Sequence, residues 1–177
     1  QVATAAANEK FTTLDGVTRA LPVGTLMIQC DRKSVAIAGI MGGAATEVSA
    51  TTESLLLESA NFDAPTIRRA ATAMGHRTEA SSLFEKSLDP AHTVLGIARF
   101  HKLAKAELPA LEVTSTLSDC YPAPKSIPAI ELDCDYAARM IGKPIAQAEM
   151  KGILERLEFN CEPRGAKLMV TPPSYRA

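Results

Sequence analysis

Hydrophobic positions follow two regimes along this chain. Short runs or alternations dominate before residue 62, and 3.6-residue periodicity dominates after it. Phe11–Leu14 and Val17–Leu21 flank Asp15-Gly16, a hairpin signal. Leu26–Cys30 and Val35–Ile40 are apolar runs of strand length, separated by Asp31-Arg32-Lys33-Ser34, and Gly42-Gly43 then breaks regular structure. Leu55–Ala60 reads as a further, buried strand that ends near a carboxylate, Glu58. Beyond it Ile67, Ala70, Ala71 and Met74 share one face of a helix. Asp63 is placed to cap that helix, Pro65 fits its first turn and Gly75 is placed to stop it. Ser82 and Glu85 have capping-box spacing, which predicts a helical turn over Ser82–Lys86. Asp89-Pro90 predicts the cap and first position of a third helix, with Val94, Ile97, Ala98, Ala104 and Leu108 as its apolar face. Leu111–Leu117 alternates in strand fashion.

Pro122, Pro124 and Pro128 mark a linker, and the pattern restarts after it. Ile130 and Leu132 predict a strand. Tyr136, Met140 and Ile141 predict a short helix closed by Gly142. Met150, Ile153, Leu154 and Leu157 line a second helix, and Phe159–Cys161 with Leu168–Val170 predict a two-stranded wing. The expected class is α+β: a mixed-sheet domain with packed helices over residues 1–122, then a small winged-helix-like α+β domain over 127–177. The second unit, of about fifty residues, is near the lower limit for an independent fold.

Composition narrows the function. Of 177 residues 46% are hydrophobic, enough for a packed core and against disorder. There is no Trp, so Leu, Ile, Val, Ala and Met must build that core. With 19 basic against 20 acidic residues the net charge is -1, which argues against coating long nucleic acid but leaves room for a pocket taking one RNA end. No apolar run approaches the ~20 residues of a membrane span. No signal peptide is visible, and the opening residue is Gln1 rather than Met, as in a piece cut from a longer protein. Cys30, Cys120, Cys134 and Cys161 are far apart, and His76, His92 and His101 do not stand at zinc-like spacing from them, so no metal site is expected. Four cysteines would permit two disulfides, but this spacing favours reduced thiols in or near the core of a cytoplasmic protein.

Several residues could carry chemistry, and each has a plainer alternative. Glu58, at the end of Leu55-Leu56-Leu57, is either a polar group set in an apolar pocket or a solvated strand-end carboxylate. Gly42 and Gly43 permit close backbone approach to a ligand, or serve a turn of positive φ. Thr78 is a pocket hydroxyl or a cap, and Ala80 a small pocket wall or an ordinary helix start. Arg68, Arg69, Arg77 and Lys86 could contact an RNA backbone, although most charges on a helix face are simply solvated. Glu85 and Asp89 read as capping residues rather than as acids or bases, and His76 is a candidate proton carrier, although a lone histidine in a turn is usually not one. No Ser-His-Asp or Cys-His constellation is present, so the catalytic group stays unknown. If an ester is hydrolysed here, a positioned water is the expected nucleophile.

Three stretches carry a joint resemblance: Val35-Ala36-Ile37-Ala38-Gly39-Ile40-Met41-Gly42-Gly43, Leu55-Leu56-Leu57-Glu58-Ser59-Ala60, and the run from Gly75-His76-Arg77-Thr78-Glu79-Ala80 to Asp89-Pro90. In this order they resemble the editing region of the beta chain of bacterial phenylalanyl-tRNA synthetase. Phe11–Gly16 resembles the approach to its pocket, and the chain from about Ile127 onward resembles the next domain of the same subunit. The resemblance implies a tRNA-editing domain over 1–122, truncated at its N-terminus, and a winged-helix-like domain over 127–177, truncated at its C-terminus. It implies that Gly42, Gly43, Glu58, Thr78 and Ala80 line an editing pocket where Glu58 meets the hydroxyl of tyrosine. A site built to hydrogen-bond a hydroxyl can reject the analogue lacking it by ~10⁴–10⁵. It further implies a cytoplasmic parent enzyme that joins Phe to tRNA(Phe) with ATP and magnesium, as a heterotetramer with an alpha chain. Neither ATP nor metal is expected to bind this segment, and no membrane is involved.

Two alternatives remain from the residues themselves. One is a non-catalytic module that positions tRNA or braces the subunit. The other is a stand-alone nucleic-acid-binding winged helix with an unrelated partner domain, which the missing basic excess disfavours. The sequence also departs from the family. Asp63-Ala64 stands where Asn-Pro is usual, Leu83-Phe84-Glu85-Lys86-Ser87 where Arg-Phe-Glu-Arg-Gly is usual, and an upstream His-containing segment is absent.

Overall fold

Six short strands open the chain: β1 (Val2–Thr4), β2 (Lys10–Thr12), β3 (Thr18–Ala20), β4 (Leu26–Cys30), β5 (Lys33–Ile37) and β6 (Met41–Gly42). The computed structural model describes residues 1–124 and 126–176. Lys125, in the expected linker, and Ala177, the last residue of the expected 127–177 domain, lie outside the described residues. β2 and β3 form the hairpin predicted around Asp15-Gly16. The other four make a sheet in the order β1-β4-β5-β6. Asp31 and Arg32, at φ 48° and 63°, form the tight turn between β4 and β5; positive φ at both central positions matches the twist of the paired strands. A single bridge, Thr13 to Gly43, ties the hairpin to this sheet.

Helices follow: α1 (Ala64–Ala73), α2 (Glu79–Phe84) and α3 (His92–Glu107). Asp63 caps α1 by accepting from the Thr66 amide, and Pro65 sits in its first turn, as expected. The apolar stripe of α1 also holds, since Ile67, Ala70 and Ala71 are buried with Phe11, Leu21, Met27, Ile37, Ile40 and Phe62 in one core. Gly39 marks where the sheet meets the helices. At φ +65° a Cβ there would lie 3.0 Å from a ring carbon of Phe62, which stacks edge-on against Phe84 at 5.0 Å.

Several expectations are corrected. Leu55–Ala60 forms no strand, and Leu55 and Leu56 are 57% and 95% exposed. Strand pattern is only half of a strand; without a neighbouring edge the backbone groups turn to water instead. Leu111–Leu117 fails for the same reason. The second helix begins at Glu79 rather than near Ser82, because the capping box is Thr78 with Ser81. The third begins at His92 behind Ala91, while Asp89 accepts from the Ala91 amide and shapes the turn before it. No residue of α3 is fully buried, so its predicted apolar face is open.

The second unit holds β7 (Ile130–Asp133), α4 (Cys134–Ile141), α5 (Gln147–Arg156), β8 (Asn160–Arg164) and β9 (Lys167–Thr171). β7 joins the wing, so the sheet has three strands in the order β7-β9-β8. Its core is Cys134, Met150, Cys161, Leu168 and Val170. Gly142 ends α4 as expected, yet Tyr136, Met140 and Ile141 are all more than half exposed. The α+β class stands, with one refinement. Every described ladder is antiparallel rather than mixed, because the paired strands are neighbours joined by tight turns or return connections. The chain divides into two units, Gln1–Leu111 and Glu112–Ala177. No helix among the described residues is long and apolar enough to cross a membrane.

Candidate functional site

The glycine pair is set by packing from both sides. The Leu14 amide donates to the Gly42 carbonyl at 3.0 Å, and the Gly43 amide to the Val35 carbonyl at 2.9 Å. A Cβ at Gly43 would lie 2.5 Å from Phe11 Cζ and 2.7 Å from the Val35 oxygen, so no side chain fits there. Thr78 is the N-cap of α2, and its hydroxyl is used twice. It accepts from the Ser81 amide at 3.1 Å and donates to the Ile40 carbonyl at 2.8 Å. That second bond fastens the start of α2 to the turn just before Gly42. Ala80, half-buried, lies in the first turn of the helix so held.

Glu58 lies in the irregular segment that precedes α1. Ser59 donates to the Thr93 carbonyl at 2.7 Å and Asn61 to the Leu88 carbonyl at 2.8 Å, so residues 59–61 lie along the segment leading into α3. Glu58 itself is exposed rather than deeply buried, and makes no described hydrogen bond or ion pair. Enough protein still surrounds its carboxyl for burial to raise its pKa, against a smaller opposing pull from the amino group of Gln1.

The basic residues divide. Arg77 and Arg68 both pair with Glu85, whose side chain is 13% exposed, and Arg68 also donates to the Glu85 carbonyl at 2.9 Å. Glu85 is therefore an ion-pair centre and the C-cap residue of α2. Arg69 donates to the Thr66 hydroxyl at 3.3 Å and lines a surface cavity of about 290 Å³ with Pro22, Thr25, Thr66, Ala70 and Ala73. None of the five expected pocket residues lines that cavity. Lys86 is exposed and makes no described ion pair.

A polar cluster that the sequence did not single out lies beside the glycine pair. Arg19 grips Asp15 with two hydrogen bonds, 2.8 and 2.7 Å, and also donates to the hydroxyl of Thr13, which is fully buried. The guanidinium and the Thr13 hydroxyl hold the Asp15 carboxyl far below the usual carboxylate range. The i,i+4 spacing of Asp15 and Arg19 across the hairpin tip was the available signal. His76 joins the cluster through a 3.3 Å contact between its Nδ1 and Arg19 Nη2. Among the described residues no group of three or more His, Cys, Asp or Glu side chains is arranged to hold a metal ion.

Residues 1–106 match the B3/4 domain and residues 130–177 the tRNA synthetase B5 domain. Two such domains in this order define part of an aminoacyl-tRNA synthetase subunit. The phenylalanine–tRNA ligase beta subunit of Clostridium acetobutylicum is 41% identical over 168 residues, covering 95% of this chain and 21% of that protein. Those of Moorella thermoacetica and Geobacter sulfurreducens are 39% and 40% identical over 168 and 171 residues, again covering 95% of this chain and 21% of each protein. The chain belongs to the family of phenylalanine–tRNA ligase beta subunits. It spans about a fifth of the length of the relatives it matches.

Proposed function

We propose that this chain serves hydrolytic editing within a phenylalanine–tRNA ligase. A Tyr wrongly joined to tRNA(Phe) would be released by water attack on its ester carbonyl, giving free tyrosine and intact tRNA. Gly42, Gly43, Glu58, Thr78 and Ala80 would line the pocket. What supports this reading is the hydrogen bond from Thr78 to Ile40, which ties the turn before Thr78–Ala80 to the turn before Gly42-Gly43. Two candidate segments, far apart in sequence, thereby share one neighbourhood. Ala80 leaves space for an aromatic ring, and the Glu58 carboxylate is an acceptor for the tyrosine hydroxyl that phenylalanine lacks.

The division into an editing domain over 1–122 and a winged-helix-like domain over 127–177 belongs to this reading. So does the parent enzyme: ligation of Phe to tRNA(Phe) with ATP and magnesium, an alpha-chain partner and a cytoplasmic setting, with neither ATP nor metal held by this segment. Lys86 and Arg69 are the better placed candidates for RNA contact, since Arg68 and Arg77 are engaged by Glu85. One observation favours a second reading, in which the segment braces the subunit: α3 carries exposed Val94, Leu95, Phe100 and Leu103 with nothing buried.

The deciding experiment is Tyr-tRNA(Phe) deacylation by the intact enzyme. Glu58→Ala is expected to slow it roughly ten-fold or more, the loss of a hydrogen bond to a charged acceptor, while Phe attachment stays unchanged. Ala80→Trp is expected to stop it by filling the pocket. Deacylation at the parental rate in both variants would leave the bracing role standing.

A further inference from the structure

Two long-range hydrogen bonds hold the turn between α1 and α2 against the strands. One is Thr78 to Ile40, across 38 residues. The other is Arg19 to His76, across 57. Arg19 belongs to β3, and its hairpin is sewn to the glycine pair by the Thr13–Gly43 bridge and the Leu14–Gly42 hydrogen bond. His76 belongs to the other side: its amide donates to the Ala71 carbonyl at 3.0 Å and so continues the end of α1.

The chemistry of this contact is one-directional. A guanidinium has donors and no acceptor, so His76 Nδ1 must accept. The other ring nitrogen, Nε2, is then left as the donor. That Nε2 is buried and has no hydrogen-bond partner among the described residues. Arg19 is therefore the one polar tether of the ring among the described residues. Arg19 is itself fixed, since both carboxylate oxygens of Asp15 and the Thr13 hydroxyl hold the same guanidinium. A bidentate pair of this kind sets direction as well as distance.

We propose that His76 is a positioning residue for the pocket. Through Arg19 its imidazole sets the Thr78–Ala80 turn against β6 and the glycine pair, Gly42 and Gly43. The residue acts two positions away from Thr78 and touches no substrate. The inference rests on the hydrolytic reading given above. It adds that the spacing of the two pocket walls depends on an Nδ1 acceptor at position 76, and not on the bulk of the ring.

The test uses the intact enzyme carrying His76→Asn, His76→Leu, Arg19→Met or the His76→Leu/Arg19→Met pair. Asparagine keeps an acceptor close to where Nδ1 stood, whereas leucine keeps volume without one. Deacylation of Tyr-tRNA(Phe) is followed for kcat and KM. His76→Leu and Arg19→Met should each lower kcat about ten-fold, as small misplacements near a reacting centre do, with KM for the tRNA little changed. The double variant should be no slower than Arg19→Met alone, because that change already removes the contact with His76 along with those to Asp15 and Thr13. His76→Asn should stay within about three-fold of the parent. Equal losses in the Asn and Leu variants would reduce His76 to packing and overturn the proposal, as would single losses that multiply. Should the Leu variant fail to fold, the Asn variant decides alone: near-parental kcat supports the acceptor role, and a ten-fold loss refutes it. An unmutated enzyme that releases no tyrosine would sink the hydrolytic reading first, and this inference with it.

Discussion

At Gly43 the surrounding backbone and ring leave no space for even a methyl group. Gly43→Ala is expected to lower stability by ~1–3 kcal/mol, the usual penalty for overpacking, in a urea unfolding curve. Glu58 gives a pH signature instead. Burial raises its pKa, so the folded chain holds that proton more tightly than the unfolded one. The resulting stabilisation is complete below the ordinary glutamate range and is lost as pH rises through the raised folded value. Glu58→Gln should therefore be slightly more stable than the parent at pH ~7, with the gap closing toward pH ~4; a thermal melt at each pH reads the difference. Ser87 stands where the family pattern has glycine, and its φ of 54° explains why glycine suits that turn. The residue scale was the least legible in sequence. A glutamate after three leucines has the same spelling whether its carboxyl is enclosed or open, and only the fold leaves Glu58 exposed.

Elements that carry their own punctuation were legible. The Asp15-Gly16 hairpin and the cap, stripe and stop of α1 follow from local chemistry and form, whereas the strand expected over Val35–Ile40 runs instead from Lys33 to Ile37. Elements that depend on a partner were not, as Leu55–Ala60 and Leu111–Leu117 show. For α2 the competing signals lay four residues apart, and Thr78 won over Ser82 because its hydroxyl also reaches Ile40. That double use makes a prediction: Thr78→Ala should cost ~1–2 kcal/mol, a cap together with a long-range hydrogen bond, whereas Thr78→Ser should keep most of both. Comparing urea midpoints of the two variants checks this. Equal losses would assign Thr78's contribution to its methyl group.

At the scale of the whole molecule, the two cores belong to two different units. The class was legible in the mixture of short strands and periodic helices, whereas the two compact units part between Leu111 and Glu112, ahead of the prolines. It could not show which basic residues would be neutralised internally. Arg68 and Arg77 look alike to Arg69 and Lys86 in a linear reading, and only folding brings Glu85 between the first two.

The cysteines divide by burial. Cys30 and Cys120 are exposed, while Cys134 and Cys161 are buried, and burial raises the pKa of Cys161 further from the thiolate range. An alkylating reagent should therefore modify two thiols at once and the other two only as fast as their surroundings open. Both slow thiols lie in the C-terminal unit. Mass spectrometry of the labelled chain over time would then act as a clock for the opening of that unit alone, with no engineered probe. Four thiols labelled at one rate would mean that the unit never closes around its pair.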